Sequence, residues 1–352
     1  MGRYCPATAR GPPCATIGNV IEQSSKSRHT AWNLGDKVDS KPKVTVILPV
    51  YREPIDVIRR AADSVAAQTY GGLDVLMVLD DPQNVAAHDF LRAYCAERPG
   101  FSYKVNEKNM GLAMSLNAAM GDVATEGGLI CRMDADDVAH PDRVERQVSY
   151  LLENGLDLVG CYMNVVAEDG TFLYKAETLP ASASGVANAL RYNNCVMHPT
   201  WLGRSEVLAQ GYRAVPQSED YDLLIRLELA GYRIGNCPET LLDYTISSGS
   251  ISRSNLLRQY LYQRVLTKAY AGGRELDLDE ATHEVESAWS PDRERRFARA
   301  YAMMNEFLGA RTMTARIACV PRLIWSLLSS PDYVGKAYRL ARTTLIAKGD
   351  AR

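Results

Sequence analysis

No two cysteines in this 352-residue chain are spaced as Cys-x-x-Cys, although eight are present, at positions 5, 14, 95, 131, 161, 195, 237 and 319. Several lie inside apolar runs such as Leu129-Ile130-Cys131. This reads as reduced, buried thiols of a cytosolic protein, and argues against a disulfide frame or a zinc site. No run reaches the roughly 18 apolar residues needed to cross a bilayer. Residues 1–42 carry Gly, Pro, Ser and scattered charge but no apolar core of signal-peptide length, so they read as a flexible leader ending at Pro42. The chain is therefore expected to be soluble or peripheral. Net charge is also scarce, at −2, which argues against a dedicated nucleic-acid binder. There are no internal repeats, and no low-complexity tract follows the leader.

What is present is a core-forming composition, 46% hydrophobic and 23% charged, in a chain long enough for one large domain and an appendage. The charge is unevenly placed. Residues 309–352 hold eight Lys/Arg against two Asp, a net of +6 that leaves −8 on the first 308 residues. A basic tail on an acidic body suggests an anionic partner such as a phospholipid surface.

The β-branched run Val44-Thr45-Val46-Ile47-Leu48, stopped by Pro49, predicts a buried strand. A helical pattern follows over 55–68, then a strand over 75–79, a helix over 85–96, a strand over 101–105, a helix over 109–120 and a strand over 129–133. Strands alternating with helices of about a dozen residues predict an α/β fold, a Rossmann-like and mostly parallel sheet with helices on both faces. Ligands of such sheets bind beyond the carboxyl ends of the strands. The second half changes character. Segments 156–166 and 171–174 flank the hairpin signal Glu168-Asp169-Gly170, a helix is predicted over 219–229, and two short strands near 232–234 and 241–246. From Asn255 the pattern is helical, with breaks expected at Gly272-Gly273, Pro291, Pro321 and Pro331. The expected organisation is a leader (1–42), an α/β catalytic domain (43–254) and a helical C-terminal region with a basic amphipathic tail (255–352).

Two acidic clusters fall where a ligand should bind. Asp80-Asp81 ends the second strand, and Asp134-Ala135-Asp136-Asp137 ends the fourth. Carboxylates so crowded repel one another unless a cation neutralises them. Oxygen-only donors suit Mg²⁺ or Mn²⁺, which fill their remaining positions with phosphate oxygens and water. A lone Asp-x-Asp before a helix is more often a solvated cap; here it does not stand alone. Pro49-Val50-Tyr51-Arg52-Glu53, Asp80-Asp81, Asn109-Met110-Gly111-Leu112, Arg132-Met133-Asp134-Ala135-Asp136-Asp137, Met197-His198-Pro199-Thr200, Gly211-Tyr212 and Ser218-Glu219-Asp220-Tyr221-Asp222-Leu223 occur in one order. In that order and at those approximate intervals, the chain resembles the family 2 glycosyltransferases with the GT-A fold over roughly residues 43–254.

The resemblance implies an inverting, metal-dependent transfer of a sugar from a nucleotide-sugar to a hydroxyl. It places Pro49, Tyr51 and Glu53 around the nucleotide, Asp80 on the base (typically uracil N3), and Asn109, Gly111, Asp134, Ala135 and Asp136 along the donor. Asp136 and Asp134 would hold Mn²⁺ or Mg²⁺, and Arg253 would match a basic position on the diphosphate side. Asp220 resembles the general base, with Glu219 beside it, and His198 and Asp137 would line the sugar or acceptor pocket. Arg132 and Arg143 read as charge balance. Two departures from the family pattern stand out: Pro82-Gln83-Asn84 replaces the usual Gly-Ser after the paired acids, and Tyr244-Thr245-Ile246-Ser247 lacks the late histidine that completes the metal site in many relatives.

Two other functions are open from sequence. A sugar-1-phosphate nucleotidyltransferase would need a glycine-rich loop after the first strand, and Pro49–Glu53 contains no glycine. A silent glycosyltransferase-like binder or assembly protein would have no need of Asp220. The expected acceptor is a glycan or polyprenyl-linked glycan at the inner face of a membrane. Pro321–Ser330, with Trp, Leu and Ile opposed to flanking Arg and Lys, suits either an interfacial helix or a helix packed on the domain or a second subunit.

Overall fold

The first apolar run forms strand β1 (Val44–Val50), held on both sides by parallel partners, β2 (Leu73–Leu79) and β4 (Leu129–Arg132). This computed structural model describes residues 41–124, 128–246, 255–310 and 312–351. The expected leader lies outside the described residues up to residue 40, and residues from Pro42 onward form one compact unit. Side chains of β1 alternate between two buried clusters: Ile47 joins the one on one face of the sheet, and Val44, Val46, Leu48 and Val50 join the other. A strand covered on both faces explains the unbroken apolar run.

β1 does not stop at Pro49 but runs to Val50. The carbonyl of Val50 accepts from Asp80 on the β2 side (2.8 Å) and that of Ile47 from Met133 on the β4 side (3.3 Å). By alternation, the missing N–H of Pro49 points to the β4 side, where pairing with β1 already ends at Ile47. The proline therefore removes no ladder bond.

β2 carries β3 (Phe101–Val105) on its outer side, so β3-β2-β1-β4 is a parallel block. Helices α1 (Ile55–Ala66), α2 (Val85–Ala96) and α3 (Leu112–Ala124) connect it. α1 and α2 bury Ile58, Val65, Phe90 and Leu91 in one cluster, whereas α3 buries Leu116 and Met120 in the other, so both faces are covered. Beyond β4 the sheet is mixed. Its remaining strands are β5 (Val138–Ala139), β6 (Leu158–Ala167), β7 (Phe172–Ala176), β8 (Leu202–Arg204) and β9 (Ile234–Ile246). β6 and β7 form the expected hairpin, with Gly170 at φ +81 in the turn. The two short strands expected near 232–246 are one 13-residue strand. Its register against β6 shifts where Pro238 and Glu239 pass, Cys161 pairing with Cys237 but Tyr162 with Thr240, so the proline is accommodated in a bulge.

Four helices pack around this half: α4 (Arg143–Glu153), α5 (Ala183–Leu190), α6 (Ser205–Leu208) and α7 (Glu219–Leu229). Five more follow, α8 (Leu256–Ala271), α9 (Leu278–Ala288), α10 (Pro291–Gly309), α11 (Met313–Ser329) and α12 (Pro331–Asp350). Three of the expected breaks end or start helices, with Pro291 and Pro331 at first-turn positions behind the N-caps Ser290 and Ser330. The fourth does not: α11 runs through Pro321. Pro321 and Ile317 are both exposed, so the Ile317 carbonyl released by the proline can turn to water. Leu257, Tyr260 and Leu266 of α8, Phe297 of α10 and Tyr333 of α12 share one buried cluster with Val186 of α5 and Tyr221 and Leu224 of α7.

A carboxylate at the far end of α12 fastens that helix to α5. Asp350 accepts from the backbone N–H of Ala181 (2.7 Å) and Ser182 (2.8 Å) and from the Ser182 hydroxyl, satisfying donors at the start of α5. Gly185 leaves it room, since a Cβ there would lie 2.4 Å from an Asp350 oxygen. Asp350→Ala strands these donors and is expected to cost about 1–3 kcal/mol in urea unfolding; an unchanged midpoint would show that the latch contributes nothing.

Candidate active site

Three turns at the carboxyl edge of the parallel block build one rim. After β1, the Tyr51 N–H is bound by the Glu53 carboxylate (2.7 Å). Asn84 Nδ2 donates to the Tyr51 carbonyl (3.1 Å) while its Oδ1 caps α2 through Ala87 N–H (3.1 Å). Arg52 pairs with Asp81 at 3.0 Å. The unusual Pro82-Gln83-Asn84 segment thus ties the first turn to the second through Asn84.

Asp80 is only 6% exposed. Its carboxylate accepts from Asn106 Nδ2 (2.8 Å) and from the backbone N–H of Met110 (2.9 Å) and Gly111 (2.8 Å). Of its four lone-pair positions, three therefore hold the loop before α3. Gly111 takes φ +76, a conformation favouring glycine. Asn109 is exposed and accepts from the Gly111 N–H at 3.0 Å. Pro49 lies within β1, below this rim.

The third turn is the acidic one. Asp134, Asp136 and Asp137 each bring a carboxylate oxygen within 4.8 Å of the others. Arg132, buried beneath them, forks onto Asp134 with Nη1 at 3.0 Å and Nη2 at 2.5 Å. Thr245 on β9 holds the turn from the other side, its hydroxyl on the Asp136 carbonyl (2.6 Å) and its N–H on Asp137 Oδ1 (2.9 Å). Burial, then Asp134 and Glu53, push the Asp136 carboxyl up to about 6. Asp137, expected in the sugar or acceptor pocket, is 0% exposed and joins this cluster instead. Burial, then Asp134 and Asp136, raise its carboxyl well above the usual range. Its Oδ2 has no hydrogen-bond partner among the described residues. Ala135 faces the apolar cluster with Met133. Crowded oxygen donors, proton affinities raised by burial and repulsion, and an orphaned buried oxygen fit a hard divalent cation such as Mg²⁺ or Mn²⁺.

The opposite wall is the start of α7. Gln217 has φ +54, a strained conformation for a non-glycine residue, and the buried hydroxyl of Ser218 has no hydrogen-bond partner among the described residues. Asp220 Oδ2 accepts from Asn194 Nδ2 (2.8 Å) and Oδ1 from Tyr221 N–H (2.7 Å). Burial first, then Glu219, push its carboxyl up to about 7. Burial also raises Glu219. Asp222, one turn further, is a structural clamp, buried between Arg213 (2.9 Å) and Arg226 (3.0 Å).

His198 closes the floor. Its Nε2 lies 2.7 Å from the Tyr212 hydroxyl, and its ring stacks edge-on against Trp201 and Tyr212. Burial, then the Arg132 cation, drive its pKa well below the ordinary value, so the imidazole is neutral. The same guanidinium acts electrostatically on Asp134, Asp136, Asp137, Glu219 and Asp220, so both the acidic turn and the start of α7 lie within its reach. Arg143 is a core residue, donating to the Arg132 and Pro199 carbonyls (2.8 and 3.0 Å) and pinning the His198–Thr200 turn to the end of β4. Arg253 and Ser247 lie outside the described residues.

Sequence reasoning missed Asn194 and assigned no role to Tyr212 or Thr245. Both stood in quoted stretches, Thr245 in the one that matches the late metal-site motif, and could have been followed up. Asn194 touches the site only through a contact 26 residues apart, for which one sequence carries no signal.

Residues 45–211 match the glycosyl transferase family 2 profile. The O-antigen biosynthesis glycosyltransferase WbnJ of Escherichia coli is 30% identical over 240 residues, covering 64% of this chain and 91% of that protein. The chain therefore belongs to glycosyltransferase family 2, and it is a glycosyltransferase. Among solved structures, a Pyrobaculum calidifontis mannosyltransferase with GDP-Man and Mn²⁺ superposes with TM-score 0.53 at 15% identity, covering 94% of this chain and 92% of that one. The Staphylococcus aureus TarS 1–349 complex with UDP-GlcNAc gives 0.54 at 15%, covering 87% and 91%. The fold is GT-A, with helices appended at its C-terminus.

The raised carboxyls have a thermodynamic consequence. Asp136 and Asp220, at about 6 and about 7, bind protons more tightly folded than unfolded, where the ordinary value is 3.8. Stability is then greatest below about pH 4 for these groups and is lost as pH rises through 6 to 7. Without divalent cations, unfolding free energy is expected to fall by on the order of 1–3 kcal/mol between about pH 5 and pH 7.5. Asp136→Asn should flatten that slope. A stability that rises over this range by the same amount in both proteins would contradict the charge assignment.

Proposed function

We propose that this protein is an inverting glycosyltransferase that moves a hexosyl or N-acetylhexosaminyl group from a nucleoside-diphosphate sugar, a UDP-sugar first among them, to a hydroxyl of a glycan or lipid-linked glycan acceptor. The observation that carries the reading is Asp220, a half-buried carboxyl raised to about 7 at the start of α7, within reach of the Arg132 cation that also braces the acidic turn. A general base works best when its pKa lies near the operating pH, and a binding protein has no use for one. The donor class is supported by the GDP-Man and UDP-GlcNAc held by the two structural neighbours, and a place in surface-polysaccharide synthesis by the name of the E. coli relative.

Asn194 and the Tyr221 N–H orient the Asp220 carboxylate, leaving its remaining lone pairs for the acceptor hydroxyl. As that oxygen bonds to the anomeric carbon, its proton passes to Asp220 and the bond to the diphosphate oxygen breaks on the opposite face, inverting the centre. Glu219 shapes the acceptor side, and the neutral His198 supplies a polar floor without exchanging protons. Asp134 and Asp136, with Asp137 behind them, would hold Mn²⁺ or Mg²⁺, which neutralises charge on a departing diphosphate. Asp80 organises the 106–111 loop, with one lone-pair position left for a nucleobase N–H. Tyr51, Glu53, Asn109 and Gly111 line the nucleotide side, with Pro49 beneath them in β1. The catalytic domain is taken as 43–254 and the helical region as 255–352.

Asp220→Asn is expected to lower kcat by about 10²- to 10⁴-fold, while UDP or GDP with Mn²⁺ still raises the melting temperature as in the wild type. In the wild type, kcat/KM should fall about tenfold per pH unit below about 7, where the base is protonated. Transfer retained by Asp220→Asn within a factor of a few would refute the assignment.

A further inference from the structure

Helix α11 serves the core with one narrow face. Cys319, Leu323 and Ser326 are its buried residues, and it packs chiefly on α10. Met313, Ile317, Ile324 and Leu328 recur at i, i+4, i+11 and i+15, a spacing that puts them on one side of a helix. They are 70%, 63%, 51% and 78% exposed. Trp325, at the margin of this stripe, is 57% exposed, and the Arg299 guanidinium of α10 lies 5.0 Å over its ring. Leu328 also lines a cavity of about 530 Å³ whose wall includes Arg293, Arg296 and Asp332.

We propose that this face of α11 docks the protein on an anionic phospholipid bilayer, with the apolar stripe in the acyl boundary and the surrounding guanidinium groups among the headgroup phosphates. The helix lies in the interface and does not cross it, since no helix among the described residues is long and apolar enough to span a membrane. Charge selects the occupant. Residues 309–352 carry +6 against −8 on the first 308, so attraction to an anionic surface is concentrated at the end of the chain that bears the stripe. Arg316 on α11, and Arg342 and Lys348 on α12, are exposed and have no carboxylate partner among the described residues, Arg342 lying 4.9 Å over the Tyr192 ring. Arg322, by contrast, is held by Glu306 at 2.8 Å. Tryptophan beside arginine at the edge of an apolar stripe suits the boundary between acyl chain and water, the ring half immersed and the guanidinium reaching the phosphates.

The surface deepens the lipid-linked acceptor reading but is independent of Asp220: vesicle binding and sugar transfer can each fail alone. The test is co-sedimentation of the full chain with vesicles of phosphatidylcholine alone and of phosphatidylcholine with 30% phosphatidylglycerol. Binding is expected at least tenfold tighter to the anionic vesicles and should weaken steeply as NaCl rises from about 50 to 500 mM. Ile324→Asp with Leu328→Asp should lower it at least tenfold, with unchanged melting temperature and unchanged transfer to a water-soluble acceptor. Should that pair unfold the chain, Arg316→Gln with Arg342→Gln, which leaves the apolar stripe intact, must still weaken anionic binding severalfold. No binding, or equal binding to both vesicle types at all salt concentrations, overturns the proposal. So does a vesicle-free dimer, seen by sedimentation velocity, that the Ile324 and Leu328 substitutions dissociate; the face is then an interface between two copies.

Discussion

The site depends on three carboxylates held closer than they would choose to be. Asp134, Asp136 and Asp137 follow β4 in four consecutive positions, and the chain cannot relax them apart because each is tethered separately. Arg132 holds the first, and Thr245 holds the backbone of the second and one oxygen of the third. With carboxylate oxygens within 4.8 Å in a half-buried turn, the proton affinities of Asp136 and Asp137 are raised, and a doubly charged cation relieves more repulsion than protons can at neutral pH. Much of the surrounding architecture keeps that cluster in place.

The tethers explain why the second half of the chain is built as it is. β9 carries Thr245 to the acidic turn from more than 100 residues away and bulges at Pro238 on the way. Arg143 and Gln147, buried in α4, satisfy carbonyls at the end of β4, in the His198–Thr200 turn and on β6, where the edge-to-edge change of strand direction would otherwise leave acceptors unpaired. Arg132 is then both a brace for Asp134 and the cation shared with the α7 side. That second role separates its environment from simple charge balance, because the guanidinium is buried with its Nε lacking a partner among the described residues.

The parallel block was legible because its signals are local. The run 44–48, the turn acids that follow β2 and β4 and the helix Glu219–Leu229 each announce themselves within a dozen residues, and the order of short motifs was enough to name the family. Prolines misled where sterics allowed more than the rule of thumb: Pro49 points its missing donor away from a ladder, Pro238 occupies a bulge, and Pro321 is exposed. What could not be read were the partners of the acids. Asn194 on Asp220, Thr245 on Asp137 and Met110 and Gly111 on Asp80 are decided by tertiary packing. They convert a carboxylate that sequence presents as a free ligand into one whose lone pairs are largely committed, most clearly at Asp80.

The central claim is that the acidic turn is a cation site charged by repulsion, and calorimetric titration with Mn²⁺ in the presence of UDP tests it most directly. Titrated near pH 6 in buffers of different ionisation enthalpy, the wild type should bind one ion and release protons, because carboxyls raised by burial and crowding must ionise when the cation arrives. Asp136→Asn should bind at least tenfold more weakly and release fewer protons. Equal affinity in the two proteins, or binding with no proton release, would contradict the account.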